Sequence, residues 1–149
     1  MRWIVDTSAW ARRDKPAVRD QIKSILEESD ESRLVLAPTV MLELLRGPQG
    51  DAVAAERSRL LDHMELLSAD TETFALAADA MERMAEWAPE GHRVATADLL
   101  TAALAHQHRG GVIHIDRDFL ELAERSGLTF EERMLAAPSH ERQSLKGHP

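Results

Sequence analysis

MRWIVDTSAW, residues 1–10, decides the reading of this chain: an apolar run, Trp3 to Val5, stops at the carboxylate of Asp6. A continuous apolar run without polar alternation suits a central parallel strand covered on both faces. Ligands of open α/β sheets sit beyond the carboxyl ends of such strands, so Asp6 stands where chemistry is expected. The same residues have a purely structural use. The side-chain oxygens of Asp6, Thr7 or Ser8 can cap a following helix by accepting from its free N–H groups. Asp6 by itself leaves both uses open.

Working outward, Val18, Ile22, Ile25 and Leu26 fall at helical spacing between Lys15 and Glu28, with Pro16 where a first turn tolerates it. Leu34 to Ala37 reads as a second strand. Pro38 then starts a helix that Gly47 and Pro48 stop, spanning about Pro38 to Arg46. Leu60, Leu61, Met64 and Leu67 predict a helix over Gln49 to Leu67. Thr71 to Trp87 is a further helix with Thr71 or Thr73 as cap, and these two helices are expected to form a hairpin. Thr96 is placed to cap a buried helix over Ala97 to His106, which Gly110 and Gly111 end. Val112 to Ile115 is a strand that again terminates in an acid, Asp116. Arg117, Asp118 and Phe119 open the next helix, and Leu128 to Phe130 reads as a last edge strand. His114 is expected to be half-buried. No internal repeat is visible. The reading is one domain over 1–135 and a polar, poorly ordered tail over 136–149.

Composition bounds the rest. A chain of 149 residues, 44% hydrophobic, is long enough for one domain with a real core. Cysteine is absent, which removes disulfides, a thiolate nucleophile and Cys-based zinc sites. No stretch approaches the roughly 18 apolar residues needed to span a bilayer, and no basic segment with a long apolar follow-on opens the chain. A soluble, cytoplasmic protein with no membrane partner is expected. The formal net charge of −8 argues against binding nucleic acid by bulk electrostatics, so any such contact must be local or metal-mediated.

Four acids draw attention. Asp6 and Asp116 end predicted strands; Glu43 lies among Val40, Met41, Leu42, Leu44 and Leu45; Asp98 falls in the first turn of a buried helix. Each has a plain explanation. Glu43 can pair with Arg46 at i,i+3, worth roughly 0.2–0.5 kcal/mol on an exposed face, and Asp98 is favoured by the helix macrodipole. A doubly wound sheet with right-handed crossovers would nevertheless gather strand ends, and these acids with them, on one edge. Carboxylates crowded without a lysine repel one another unless a hard divalent cation neutralises them. Oxygen-only ligands suit Mg²⁺ or Mn²⁺.

DTSA at the first strand, the Glu of PTVMLELLRG, ADLLTAALA, and HIDRDF after the last long strand together resemble the PIN-domain ribonucleases, and among them the VapC toxins of type II toxin–antitoxin systems. The resemblance runs from Arg2 to about Leu135. No single motif is specific; the ordered set is. It implies an α/β/α sandwich with a mainly parallel sheet, metal-dependent cleavage of RNA, a homodimer, and inhibition by a cognate VapB-type antitoxin. Asp6, Glu43, Asp98 and Asp116 match the acidic quartet, which would hold Mg²⁺ (or Mn²⁺). Asp118 would assist through water, Thr7 or Ser8 would orient Asp6, and Arg93 and Arg117 would hold phosphate.

With no Cys, no Tyr, and seven histidines that show no metal or triad spacing, water is the expected nucleophile. Two rivals remain. An aspartyl-nucleophile phosphohydrolase would also place Asp6 at a strand end, but wants a second acid where Ser8 stands. A non-catalytic interaction module would use the acids to bind metal for structure alone.

Overall fold

β1 (Arg2–Val5) is the middle of the molecule. It pairs in parallel with β2 (Arg33–Leu36) on one side and β4 (Gly111–His114) on the other, so that Ile4 lies between Val35 and Val112. β3 (Glu65–Leu66) and β5 (Glu131–Met134) close the two edges, giving the order β3-β2-β1-β4-β5 with every pairing parallel. The order reverses between β1 and β4, which makes the crevice beyond their carboxyl ends the binding edge. The computed structural model describes residues 1–136; the tail expected from Ala136 on lies, apart from Ala136 itself, outside the described residues.

Alternation along the central strands splits the core in two. Trp3, Val5 and Ile113 face α2 (Pro16–Glu27), where they pack with Val18, Ile25 and Leu135. Ile4, Val112 and Leu36 face the opposite layer, formed by α3 (Pro38–Leu44), α5 (Thr71–Trp87), α6 (Thr96–Gln107) and α7 (Asp118–Arg125). This is the expected α/β/α sandwich. α1 (Thr7–Trp10) is a single turn after β1, and α4 (Asp51–His63) contributes Leu60 to the second layer. α6 is buried over Thr101 to Ala105, and its alanines 102, 103 and 105 let the helix lie close against the sheet.

Several expectations need correcting. The helix predicted to Leu67 ends at His63, and Met64 turns extended to start β3. A two-residue strand is too short to carry a pattern of its own. α5 packs on α6 rather than forming a hairpin with α4. Its cap is Asp70, which accepts from Thr73 N in a reciprocal capping box, and α6 has no side-chain cap at all. β5 starts three residues later than expected because Leu128 is drawn into the core. His114 is fully buried. α6 ends at Gln107, and Arg109, just past the cap residue His108, adopts the left-handed conformation (φ 54). Gly110 N then donates to Ala105 O at 2.8 Å and Arg109 N to His106 O at 3.2 Å, the bond pair of a Schellman stop. The two glycines that follow serve the sheet instead: a Cβ at Gly110 would strike the Arg2 carbonyl, and one at Gly111 the Trp3 ring.

Candidate active site

Asp6 follows β1 directly and is 4% exposed. Its backbone N–H extends the sheet by donating to Ile113 O (2.9 Å), and its side chain caps α1. Ser8 N (3.1 Å) and Ser8 Oγ (2.7 Å) both donate to Oδ2, so Oδ1 accepts no hydrogen bond among the described residues. Ser8 Oγ in turn accepts from Ile115 N at 3.1 Å. One hydroxyl thus ties the end of β1 to the end of β4. Asp6 is both a cap and a buried carboxylate at the switch point.

Asp98 sits in the first turn of α6, where the macrodipole would favour its charge. Its pKa nevertheless rises to about 7, first because of burial and then because of the charges of Asp6, Asp116, Asp118 and Glu43. The dipole offers about 0.3–1 kcal/mol, less than one pKa unit. Burial and like charge therefore win, and the macrodipole does not account for Asp98.

Glu43 projects from α3. Burial raises its pKa, as does Asp6; the Thr7 hydroxyl and the Arg46 charge offset part of the rise. The Thr7 hydroxyl is close enough to act on the Glu43 carboxyl without making a hydrogen bond to it. Thr7 Oγ1 and Glu43 Oε1 are both buried without a hydrogen-bond partner among the described residues. The Glu43–Arg46 ion pair that would have explained Glu43 plainly is not formed among the described residues, although the Arg46 charge still reaches the carboxyl.

Asp116 lies two residues beyond β4, and its Oδ1 accepts from Asp118 N (3.0 Å). Asp118 opens α7, and its pKa is raised by burial and by Asp116 and Glu121. Carboxylate oxygens of Asp98, Asp116 and Asp118 all lie within 4.8 Å of one another. Asp118 therefore stands in the cluster itself, beside two of the four acids picked out in the sequence. Asp6 and Glu43 adjoin it through the charges they exert on Asp98. Arg93 and Arg117 are exposed; Arg46 is the cation whose charge offsets part of the rise at Glu43.

One feature escaped the sequence. Thr39 Oγ1 is 2.6 Å from Thr101 Oγ1. The Thr101 hydroxyl donates its single proton to Ala97 O (2.9 Å), which makes Thr39 the donor. The bond pins α3 to α6 one turn from Glu43 and three residues from Asp98. Thr39 at i−4 from Glu43 was the available signal, but its partner lies 62 residues away.

All ligand atoms in the cluster are oxygens, the neighbouring acids raise the Asp98 carboxyl, and a buried Glu43 oxygen is unpartnered among the described residues. Such a set fits a hard divalent cation.

A family model described as the PIN domain matches residues 3–125. The chain belongs to the PIN-domain family. Among PIN-domain relatives, the VapC ribonuclease Mb1587 of Mycobacterium bovis is 29% identical over 128 residues, covering 84% of this chain and 94% of that protein. Ribonuclease VapC11 of Mycobacterium tuberculosis matches to the same extent. Of solved PIN structures, VapBC-1 from nontypeable Haemophilus influenzae superposes with a TM-score of 0.68 at 14% identity, over 90% of this chain and 98% of that one. VapBC2 from Rickettsia felis, bound to a promoter DNA fragment, gives 0.65 at 13% identity, over 89% and 99%. These likenesses are to the PIN fold.

Proposed function

We propose that this PIN domain is an endoribonuclease that hydrolyses RNA phosphodiester bonds at the carboxylate cluster, as the toxin of a toxin–antitoxin pair. The observation that carries the reading is the grouping of Asp98, Asp116 and Asp118 within 4.8 Å, with Asp98 brought to about 7. Asp98, Asp116 and Asp118 would hold a divalent ion, Mg²⁺ or Mn²⁺, with Asp6 and Glu43 beside them. When bound, that ion supplies an acidified water and a counter-charge for the phosphodiester.

The chain's own residues prepare for this. Ser8 holds the Asp6 carboxylate through Oδ2, leaving Oδ1 without a hydrogen bond among the described residues. Asp118 N fixes the Asp116 carboxylate. Burial and the neighbouring acids raise the Asp98 carboxyl to about 7, so a bound cation would favour its carboxylate over its protonated form. Arg46, whose charge reaches Glu43, joins Arg93 and Arg117 as a candidate to meet the RNA phosphate. An aspartyl-phosphate route on Asp6 fits less well, because Ser8 occupies the position of a second acid and its hydroxyl is committed to Asp6 and Ile115.

The relatives named above make a VapB-type antitoxin, a second copy of the chain and a cytoplasmic setting the associations to test. Purified protein should cleave RNA in Mg²⁺ or Mn²⁺, leaving 5′-phosphate ends, and lose that activity in excess EDTA or as Asp98→Asn. Undiminished cleavage in either case would remove the proposal. Induced expression should arrest growth, and co-expression of the neighbouring upstream reading frame should relieve it; growth unaffected by induction would remove the toxin role.

A further inference from the structure

His114 is a buried polar residue that the reaction above does not use. All four residues of β4 are buried, and His114 is 0% exposed. Its Nε2 lies 2.6 Å from Glu132 Oε2 on β5, and its Nδ1 is buried with no hydrogen-bond partner among the described residues. The carboxylate places the ring proton on Nε2, as donor. An apolar side chain would fill the same space without desolvating an imidazole. The pair's use is therefore to be sought in what it holds.

It holds the turn that carries two of the clustered acids. The imidazole packs on Phe119 with ring centroids 5.1 Å apart at 42°. Phe119 is fully buried and directly follows Asp118, whose N–H fixes Asp116 Oδ1. The His114 carbonyl accepts from Leu135 N at 2.8 Å, closing the last rung between β4 and β5 at the same residue. Both ends of the Asp116–Asp118 turn are thus referred to one residue, by its carbonyl on one side and on the other by its ring, which Glu132 orients.

We propose that the His114–Glu132 pair is a positioning device: by holding the imidazole against Phe119 it fixes the start of α7, and with it the distance of the Asp116 and Asp118 carboxylates from Asp98. The inference rests on the metal-site reading above. It is tested by calorimetric titration with Mn²⁺ alongside the metal-free melting temperature. Glu132→Ala and His114→Leu should weaken Mn²⁺ binding at least fivefold and lower kcat with KM for RNA little changed. Glu132→Gln, which still accepts from Nε2, should stay within twofold of wild type. Mn²⁺ affinity within twofold of wild type in Glu132→Ala would overturn the proposal, and so would a Glu132→Gln protein as weak as Glu132→Ala. If His114→Leu fails to fold, Glu132→Ala, on a partly exposed edge strand, decides alone. Wild type that fails to bind Mn²⁺ removes the metal reading and this proposal together; wild type that binds, with variants that bind equally, removes this proposal only.

Discussion

Asp98 is the residue at which opposing effects can be weighed. Its carboxyl is raised to about 7 in the folded chain, against about 3.9 for an unperturbed Asp. A carboxyl raised on folding contributes stability that is fully present below the unfolded value and lost as pH climbs through the folded one. The metal-free protein should therefore lose stability between about pH 4 and pH 7 on this account. A shift of that size corresponds to about 4 kcal/mol in full, and roughly half of that once partial solvent exposure is allowed for. Asp98→Asn removes the charge and keeps the shape. In EDTA at pH 8 it should melt about 4–8 °C above wild type, with a flatter pH dependence, while RNA cleavage falls at least about a hundredfold. Calorimetric scans from pH 5 to pH 8 check the first part. A variant that melts at the wild-type temperature at pH 8 would show that Asp98 is not strained by its neighbours.

At the scale of elements, the parts legible in the sequence were those where pattern and chemistry coincide. Apolar runs ending at Asp6 and Asp116 gave both the central strands and the acids at their ends, because short β-branched runs bounded by turn residues suit parallel strands buried on both faces. β3 was hidden because its two residues show no alternation and follow a helical spacing at Leu60 and Met64. The burial of His114 was hidden for the converse reason: in a strand covered on both faces, alternation says nothing about which side chain is polar by design. Asp118 could not be ranked with Asp98 and Asp116, since its place depends on a turn closed by its own backbone N–H. The Thr39–Thr101 tie is invisible at a separation of 62 residues, yet it fixes α3 against α6. Thr39→Val should cost about 1 kcal/mol, or about 2–4 °C in melting temperature. It should cost more in activity, roughly tenfold, since small displacements of reacting groups are amplified in rate. Thr39→Ser, which keeps the hydroxyl, should recover most of the loss. Cleavage by Thr39→Val at the wild-type rate would show that Glu43 and Asp98 do not depend on this contact.

For the whole molecule, the acids make folding, proton binding and metal binding one coupled equilibrium. A ligand that binds only the folded chain stabilises it by about 2.7 kcal/mol at a hundredfold excess over its Kd, here about 5–10 °C. The chain carries a formal net charge of −8, so a divalent ion also relieves repulsion concentrated at one sheet edge. A proton on Asp98, however, competes with the ion for the same oxygens. Below pH 7 the apparent Mn²⁺ affinity should fall by about tenfold for each pH unit per proton displaced. Two opposite trends are therefore expected in one set of melting curves. Without metal, the Asp98 contribution makes the protein more stable at pH 5.5 than at pH 8; the increment added by Mn²⁺ should be large at pH 8 and small at pH 5.5. Asp98→Asn should shrink both. An Mn²⁺ increment equal at the two pH values would mean that the proton and the ion do not share a carboxylate, and that the ion is held elsewhere on the molecule.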